Sequence, residues 1–307
     1  MDYTLHQLKI FLKVAEHQSI TKASEELYLT QPAVSIQLKK LQEQFEIPLT
    51  EVVGRKLYVT DFGEEIRESA HRILNEIEAI NYKTKSFKGH LAGKIKIATA
   101  STGKYVMPYF LSDFLRIHSG IDLLMDVTNK TQVVKSLEQN EVDFALVSVV
   151  PEDLNLNRVK LMQNKLYLVG GTAINRNPKT PVRKLLEKHP LLFREFGSAT
   201  RNSMEQFISE QSLPIFKKIE LTSNEAVKQA LIAGLGYSVM PLIGLKNELK
   251  SGDLEIIPHK CLPIVTYWNL VWLASKKLSP AAEAYLAFLE DEKGRIVQDV
   301  FNWFESH

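Results

Sequence analysis

The sequence predicts an α+β multidomain protein: an N-terminal winged helix-turn-helix, a long linker helix and a C-terminal two-lobed α/β domain. Three observations predict it. Two short amphipathic patterns meet at a tight turn before residue 45, and a glycine-led basic strand follows them. Apolar or small residues then recur at steps of four, three, four, three, four and three through Ile66, Ala70, Ile73, Ile77, Ile80, Thr84 and Phe87. From Lys94 onward, short apolar runs alternate with amphipathic stretches, the pattern of an α/β architecture. A chain of 307 residues holds about two domains at roughly 150 residues each. The expected divisions are 1–60 for the winged unit, 61–90 for the linker helix and hinge, and 91–307 for the α/β domain. Within the last, lobe I takes about 91–163 and 268–307, and lobe II about 164–267.

The first helix is justified by Thr4 and Gln7, spaced as a capping box, and by Leu8, Phe11, Leu12 and Ala15 on one face. A second helix opens at Ser19 or Thr21 and buries Ala23 and Leu27. After Tyr28-Leu29, Thr30 or Gln31 caps a third helix, with Pro32 in its first turn where a missing N–H does no harm. Its expected buried stripe is Val34, Leu38, Leu41 and Phe45. Pro32, Ile36, Lys39 and Glu43 lie opposite, with Ser35 and Lys40 on the flanks. Gly54 suits a turn, and Leu57 and Val59 alternate with polar neighbours as in a half-buried strand, so Arg55 and Lys56 of this wing can reach phosphates. Periodicity alone leaves a small helical bundle with a solvated polar face as an equal alternative. Net charge does not decide between them. Residues 1–60 hold seven Lys/Arg (Lys9, Lys13, Lys22, Lys39, Lys40, Arg55, Lys56) and seven Asp/Glu (Asp2, Glu16, Glu25, Glu26, Glu43, Glu46, Glu51).

The order of residues does decide. Ser19 to Leu27, then Thr30-Gln31-Pro32-Ala33-Val34-Ser35-Ile36-Gln37-Leu38, then Leu41, Gly54-Arg55 and Thr60-x-x-Gly63, resembles the LysR-type transcriptional regulators, and the resemblance continues in register through the chain. Departures are Thr50 where Phe is common, Val52 where Arg is, Ser24 where Ala is, and Ile36 where a basic residue is frequent. The resemblance implies that Gln31, Pro32, Ala33, Ser35, Ile36 and Lys39 of the third helix, and Arg55 of the wing, meet double-stranded operator DNA. By chemistry, Gln31 can pair bidentately with adenine and Ile36 can pack on a thymine methyl, whereas Ser35, Lys39 and Arg55 suit phosphates. It further implies a dimer of dimers (a homotetramer), an effector-binding domain similar to periplasmic binding proteins, and RNA polymerase as a further partner.

Residues 61–88 form the linker helix, and Ile66, Ala70, Ile73, Ile77 and Ile80 make a heptad seam over about three repeats. Packing on its own domain is an equal reading of the periodicity. Behind a helix-turn-helix that must match a palindrome, the seam is expected to dimerise two copies. Lys88 to Gly93 is the expected hinge.

Beyond the hinge, Lys94–Ala98, Met125–Val127 and Val142–Val147 read as strands, separated by helices near 104–118 and 131–140. Leu166–Val169 opens a second set. Thr222 and Glu225 read as a capping box for a helix that Gly234-Leu235-Gly236 stops before the strand Tyr237–Met240. Trp268–Ala274 returns to the first set, and Ser279-Pro280 starts the last helix. Ligands of such sheets bind beyond the carboxyl ends of strands. There the chain is polar: Ala100-Ser101-Thr102-Gly103, Thr128-Asn129-Lys130-Thr131, and Gly197-Ser198-Ala199-Thr200-Arg201. Family effector positions map onto Ser101, Thr102, Thr131 and Thr200, and Arg201 and Asn224 are added from their chemistry. Backbone N–H groups, hydroxyls and a guanidinium favour a small anionic metabolite, a carboxylate or a phosphate.

Composition excludes other classes. With 45% hydrophobic and 24% charged residues the chain is ordinary globular protein, not disordered or collagenous. Cys261, the one cysteine, cannot form an internal disulfide, which favours a reducing compartment, and it is expected to be a buried inert thiol. The start lacks a signal sequence, and the longest uncharged run, Ala230–Leu245, falls short of the ~20 residues of a membrane span, so a cytoplasmic protein with no membrane partner is expected. The rival class is a metabolite-binding protein or enzyme whose N-terminal helices mediate protein contacts. No P-loop, complete dinucleotide fingerprint or HExxH supports an enzyme, no cofactor or metal is expected, and the basic wing argues for DNA.

Overall fold

The computed structural model describes residues 2–54, 56–86 and 91–305. The chain divides into two compact units, Met1–His90 and Leu91–His307. Each is described separately.

The first unit contains α1 (Leu5–His17), α2 (Ile20–Glu26), α3 (Gln31–Gln42), β1 (Thr50–Val53), β2 (Lys56–Val59) and α4 (Asp61–Ser86). Thr4 and Gln7 form the reciprocal capping box of α1. Ser19 rather than Thr21 caps α2, and Thr30 rather than Gln31 caps α3. Leu8, Phe11, Leu12 and Ala15 are buried as the spacing requires, but so are Ile10 and Val14, because α1 packs against α2, α3 and α4 at once. Val34, Leu38 and Leu41 form the buried stripe of α3. Phe45 lies beyond the end of that helix, stacked on Tyr3 with ring centroids 5.8 Å apart and set edge-on to Phe62. The wing is an antiparallel hairpin with Thr50 opposite Val59 and Val53 opposite Lys56, turned by Gly54 at φ +57°. Its first strand has no buried face to leave an alternating pattern, so the sequence does not show it. Arg55 lies outside the described residues, as do Phe87 and Lys88 to His90 of the expected seam and hinge; the same holds for the Thr84 side chain.

Helix α4 corrects the seam. Ala70 is 1% exposed inside the core built by α1 and α3, and Ile66 packs on that core. These two positions stabilise their own domain. Ile73 and Ile80 are exposed and Ile77 is half-buried, so the exposed part of the expected seam begins one turn later.

The second unit contains β3 (Ala92–Ala100), α5 (Met107–Ile117), β4 (Gly120–Thr128), α6 (Lys130–Glu138), β5 (Phe144–Val147), β6 (Leu156–Gly171), α7 (Val182–Leu186), β7 (Leu191–Arg194), α8 (Ala199–Glu210), β8 (Lys218–Leu221), α9 (Asn224–Ile232), β9 (Tyr237–Pro241), α10 (Lys246–Ser251), β10 (Leu254–Ile256), β11 (Ile264–Leu273) and α11 (Pro280–Glu305). The strands join in the order β4-β3-β5-β11-β6-β9-β7-β8, with β10 also on β6. At one end β3 runs parallel to β4 and β5; at the other β7 runs parallel to β8 and β9. These are the two α/β lobes. They are joined by β6 and β11, which pair antiparallel from Ile264–Leu166 to Leu273–Leu156 with a register shift between Trp268 and Asn269. The predicted strand at Leu166–Val169 is therefore the far half of a 16-residue strand that begins in the first lobe. One apolar core, including Phe110, Phe144, Trp268 and Tyr285, lies under the first lobe and the crossover and continues to Leu192, Val227, Leu231 and Met240 of the other lobe. A second, around Leu168, Phe193, Met204 and Phe207, fills the other lobe.

Three further expectations change. Gly93 lies inside β3, where a Cβ would come 2.7 Å from that of Ala281, so this glycine serves close packing and is no hinge. Ser223, not Thr222, caps α9: its hydroxyl accepts from the Ala226 N–H at 3.1 Å. Cys261 is exposed, its Sγ 3.3 Å from Gln211 Oε1, because it falls in the turn before β11 and outside every apolar core. No helix among the described residues is long and apolar enough to cross a membrane.

Candidate DNA-reading face and effector cleft

Helix α3 shows solvent the residues that its sequence pattern left over from the core. Gln31, Pro32, Ser35, Ile36 and Lys39 are exposed, and Ala33 is half-buried. The Lys39 ammonium lies 3.9 Å from Glu43, a loose contact that leaves it available. No acidic residue stands in the first turn of α3, so the positive end of the helix dipole is uncompensated where an anion would approach. Gln7 Nε2 donates to Gln37 Oε1 at 3.2 Å and sets the rotation of α3 on α1. A second tie joins α1 to α2: the Lys13 ammonium reaches Glu16 at 2.7 Å and Glu26 at 2.5 Å, and His17 also meets Glu26. Hydrogen bonds from Lys13 and then His17 hold the Glu26 carboxyl below its usual range. Glu16, His17 and Glu26 bring ligand-type atoms within 4.8 Å, but the lysine already engages both glutamates, so the group is an ion-pair cluster. Lys56 is exposed in the wing, and Tyr28, 96% exposed at φ +55° in the turn before α3, is a neighbouring surface residue that periodicity could not single out.

The second site lies where the carboxyl ends of β3 and β7 meet the N-termini of α6, α8 and α9. Ser101, just past β3, accepts two hydrogen bonds from the other lobe: Arg194 Nη1 at 2.9 Å and Asn224 Nδ2 at 2.8 Å. Thr102, Thr200 and Asn224 are all buried, and Asn224 Oδ1 is enclosed with no hydrogen-bond partner among the described residues. An orphaned buried acceptor is costly, so the cleft holds hydrogen-bonding capacity not used internally. Thr131 sits at the start of α6 behind its cap Asn129, and its Oγ1 would be 2.6 Å from a Cβ on Gly197. Gly197, at φ +85°, thus lets the chain before α8 come close to the start of α6. Ser101 and Asn224 are joined by a hydrogen bond, Thr102 follows Ser101 in the chain, Thr200 lies in the first turn of α8, and Thr131 lies across from Gly197.

Arg201 is the exception. Its guanidinium donates to Glu205 at 3.0 Å, to Glu220 at 2.6 Å and to the Arg194 carbonyl at 3.1 Å. Hydrogen bonding to Glu220 raises its pKa further above the ordinary arginine value, and its charge is already matched by two carboxylates. The arginine that faces Ser101 is Arg194, with a side chain 4% exposed. Its sequence signal was present: a charged pair, Arg194-Glu195, directly after the apolar run Leu191-Leu192-Phe193, marks the carboxyl end of a short strand.

Fold and sites together define a DNA-binding regulator that carries a small-molecule sensor. Residues 5–64 match the family described as bacterial regulatory helix-turn-helix protein, lysR family, and residues 88–294 match the LysR substrate binding domain. The chain belongs to the LysR family of transcriptional regulators, DNA-binding proteins and not enzymes. It is 34% identical over 301 residues to the HTH-type transcriptional activator CmpR of Synechocystis sp., covering 96% of this chain and 98% of that one. It is 36% identical over 300 residues to the RuBisCO operon transcriptional regulator of Allochromatium vinosum, with the same coverage of 96% and 98%. Among solved structures, the Synechocystis CcmR regulatory domain in complex with 2-PG superposes with a TM-score of 0.59 at 30% identity, covering 64% of this chain and 95% of that domain. Full-length CbnR complexed with target DNA gives a TM-score of 0.65 at 19% identity over 95% of this chain and 99% of that one, a likeness of fold.

Proposed function

We propose that this LysR-type regulator reads its operator through Gln31, Pro32, Ala33, Ser35, Ile36 and Lys39 of α3, with Arg55 and Lys56 of the wing on phosphates. A small anionic metabolite held between the lobes by Ser101, Thr102, Thr131, Thr200, Asn224 and Arg194 controls it. The observation that carries the sensing half is the convergence on Ser101 of a buried guanidinium and a buried amide from the opposite lobe, beside an enclosed acceptor with no partner. Its relatives include RuBisCO operon regulators and a regulatory domain bound to 2-PG. These likenesses support genes of carbon fixation as the target, and 2-PG or a similar carboxylate or phosphate as the effector, for this chain. Assembly as a dimer of dimers through Ile73, Ile77 and Ile80 would place paired recognition helices about one DNA turn apart, with RNA polymerase as a further contact. The effector acts only by binding one arrangement of the lobes more tightly than another.

Calorimetry with 2-PG tests the cleft. Wild type binds, and Thr102→Ala/Thr200→Ala, which removes two buried hydroxyls, binds about tenfold or more weaker, at roughly 1 kcal/mol per lost hydrogen bond. Equal affinity for both proteins would remove these residues from the site. Gel shifts across salt concentrations test the DNA face. Lys39→Ala should weaken binding on every sequence and lower the salt slope by about 0.9. Gln31→Ala should leave the slope alone and relax preference at one base pair by about 1–3 kcal/mol. An unchanged slope for Lys39→Ala would take that lysine off the phosphates.

A further inference from the structure

The guanidinium that faces the cleft is already occupied. Arg194 offers five N–H donors, and the edge formed by Nε and Nη2 is the fork that takes an oxyanion with two parallel hydrogen bonds. That edge is filled by the next residue: Nε donates to Glu195 Oε2 at 2.7 Å and Nη2 to Glu195 Oε1 at 2.7 Å. The third bond runs from Nη1 to Ser101 in the other lobe. The pair is well shielded, with side-chain exposures of 4% for Arg194 and 16% for Glu195. The arginine is thus posed as it would be around a ligand, with a carboxylate from its own chain in the ligand's place.

We infer that Glu195 is a tethered stand-in for the acidic headgroup of the effector, and that the carboxylate or phosphate of the effector takes the Nε/Nη2 fork of Arg194 by displacing it. This rests on the anionic effector cleft proposed above. A carboxylate one residue away competes at a high effective concentration, so binding from solution must overcome that advantage with contacts Glu195 does not make. The cleft supplies them in Asn224, Thr102 and the N–H groups at the start of α8, which has no side-chain cap. Because Glu195 must leave before any anion enters, it weakens every acidic ligand by one common factor, the fraction of time that the fork is open. It sets the concentration at which the regulator responds and does not choose between ligands. The displaced carboxylate needs only to turn outward, since its side chain already reaches solvent.

The experiment is calorimetry of the full-length protein with 2-PG and with glycolate, for wild type and Glu195→Gln. The variant keeps shape and loses charge, and Glu195→Ala repeats the test in case glutamine retains one hydrogen bond to Arg194. A cooperative unfolding transition of the C-terminal unit, lowered in the variants because the buried Arg194 loses its partner, certifies folding. The expected result is that both variants tighten both ligands by the same factor, about tenfold, as removal of one charge-assisted contact predicts. Binding seen only in the variants also supports the exchange. An unchanged affinity overturns it. So does a gain for 2-PG much larger than that for glycolate, since that pattern belongs to a carboxylate that stays in place and repels. If neither wild type nor variants bind either anion, the cleft itself has been misassigned; if wild type binds and the variants gain nothing, only the exchange fails.

Discussion

Gly63→Ala should unfold the DNA-binding unit well before the effector domain. Gly63 lies in the first turn of α4, where alanine would ordinarily stabilise a helix by about 1 kcal/mol. Here the added Cβ would sit 2.0 Å from the carbonyl oxygen of Leu49 and 2.8 Å from Val59 Cγ1. The oxygen cannot retreat. Leu49 is fully buried, its carbonyl accepts the Thr60 N–H at 3.1 Å, and Thr60 caps α4 through the Gly63 N–H at 3.0 Å. Overpacking a core commonly costs about 1–3 kcal/mol, and a clash with fixed backbone belongs at the upper end, so steric cost exceeds the gain in propensity. Differential scanning calorimetry should show one transition shifted down by about 2 kcal/mol and the other unmoved, with operator affinity falling together with the first. A single unshifted profile would mean that the entry to α4 yields easily.

Arg194→Ala should have the second large effect, on both stability and sensing. It leaves the Glu195 carboxylate without its partner and removes one of the two donors on Ser101. Orphaning one member of a fully enclosed ion pair costs about 3–5 kcal/mol; Glu195 retains access to water, so about 2 kcal/mol is expected here. Arg194→Ala/Glu195→Ala should recover most of that loss, because no uncompensated charge remains. Sensing should not recover. Both proteins lose the guanidinium and bind acidic ligands about 30–100-fold more weakly, the loss of roughly 2–3 kcal/mol from charged hydrogen bonds. Stability restored together with ligand binding would show that Arg194 serves packing alone.

The parts of this molecule legible in its sequence are those whose signal is local. The Thr4–Gln7 box and the exposed face of α3 depend on spacing within one helix, and the structure places them as the spacing requires; for α2 and α3 it selects Ser19 and Thr30 from two candidate caps each. The heptad of α4 is legible as a pattern but not as a partner. Ala70 answers equally to a second copy or to Phe11 and Leu41, and only the assembled core shows that it belongs with the latter. Arg201 and Arg194 show the same limit for charge. Both follow or precede polar loops at a strand end, and local sequence does not show that Arg201 meets Glu205 and Glu220 from α8 and β8 while Arg194 reaches Ser101. Cys261 is exposed against expectation, because a small thiol in a proline-bearing turn has no periodicity to say which way it faces.

The joint between the lobes has a mechanical consequence. It consists of ten residue pairs of β6 and β11 in one sheet, interrupted by a single register shift, not of two slack loops. Opening such a joint like a jaw would tear main-chain hydrogen bonds, whereas winding it about its long axis only changes a strand twist that sheets vary readily. The irregularity beside Trp268 marks where that winding is easiest. The domain is in effect a torsion bar: a metabolite wedged at one side would be felt as a change of angle between its ends.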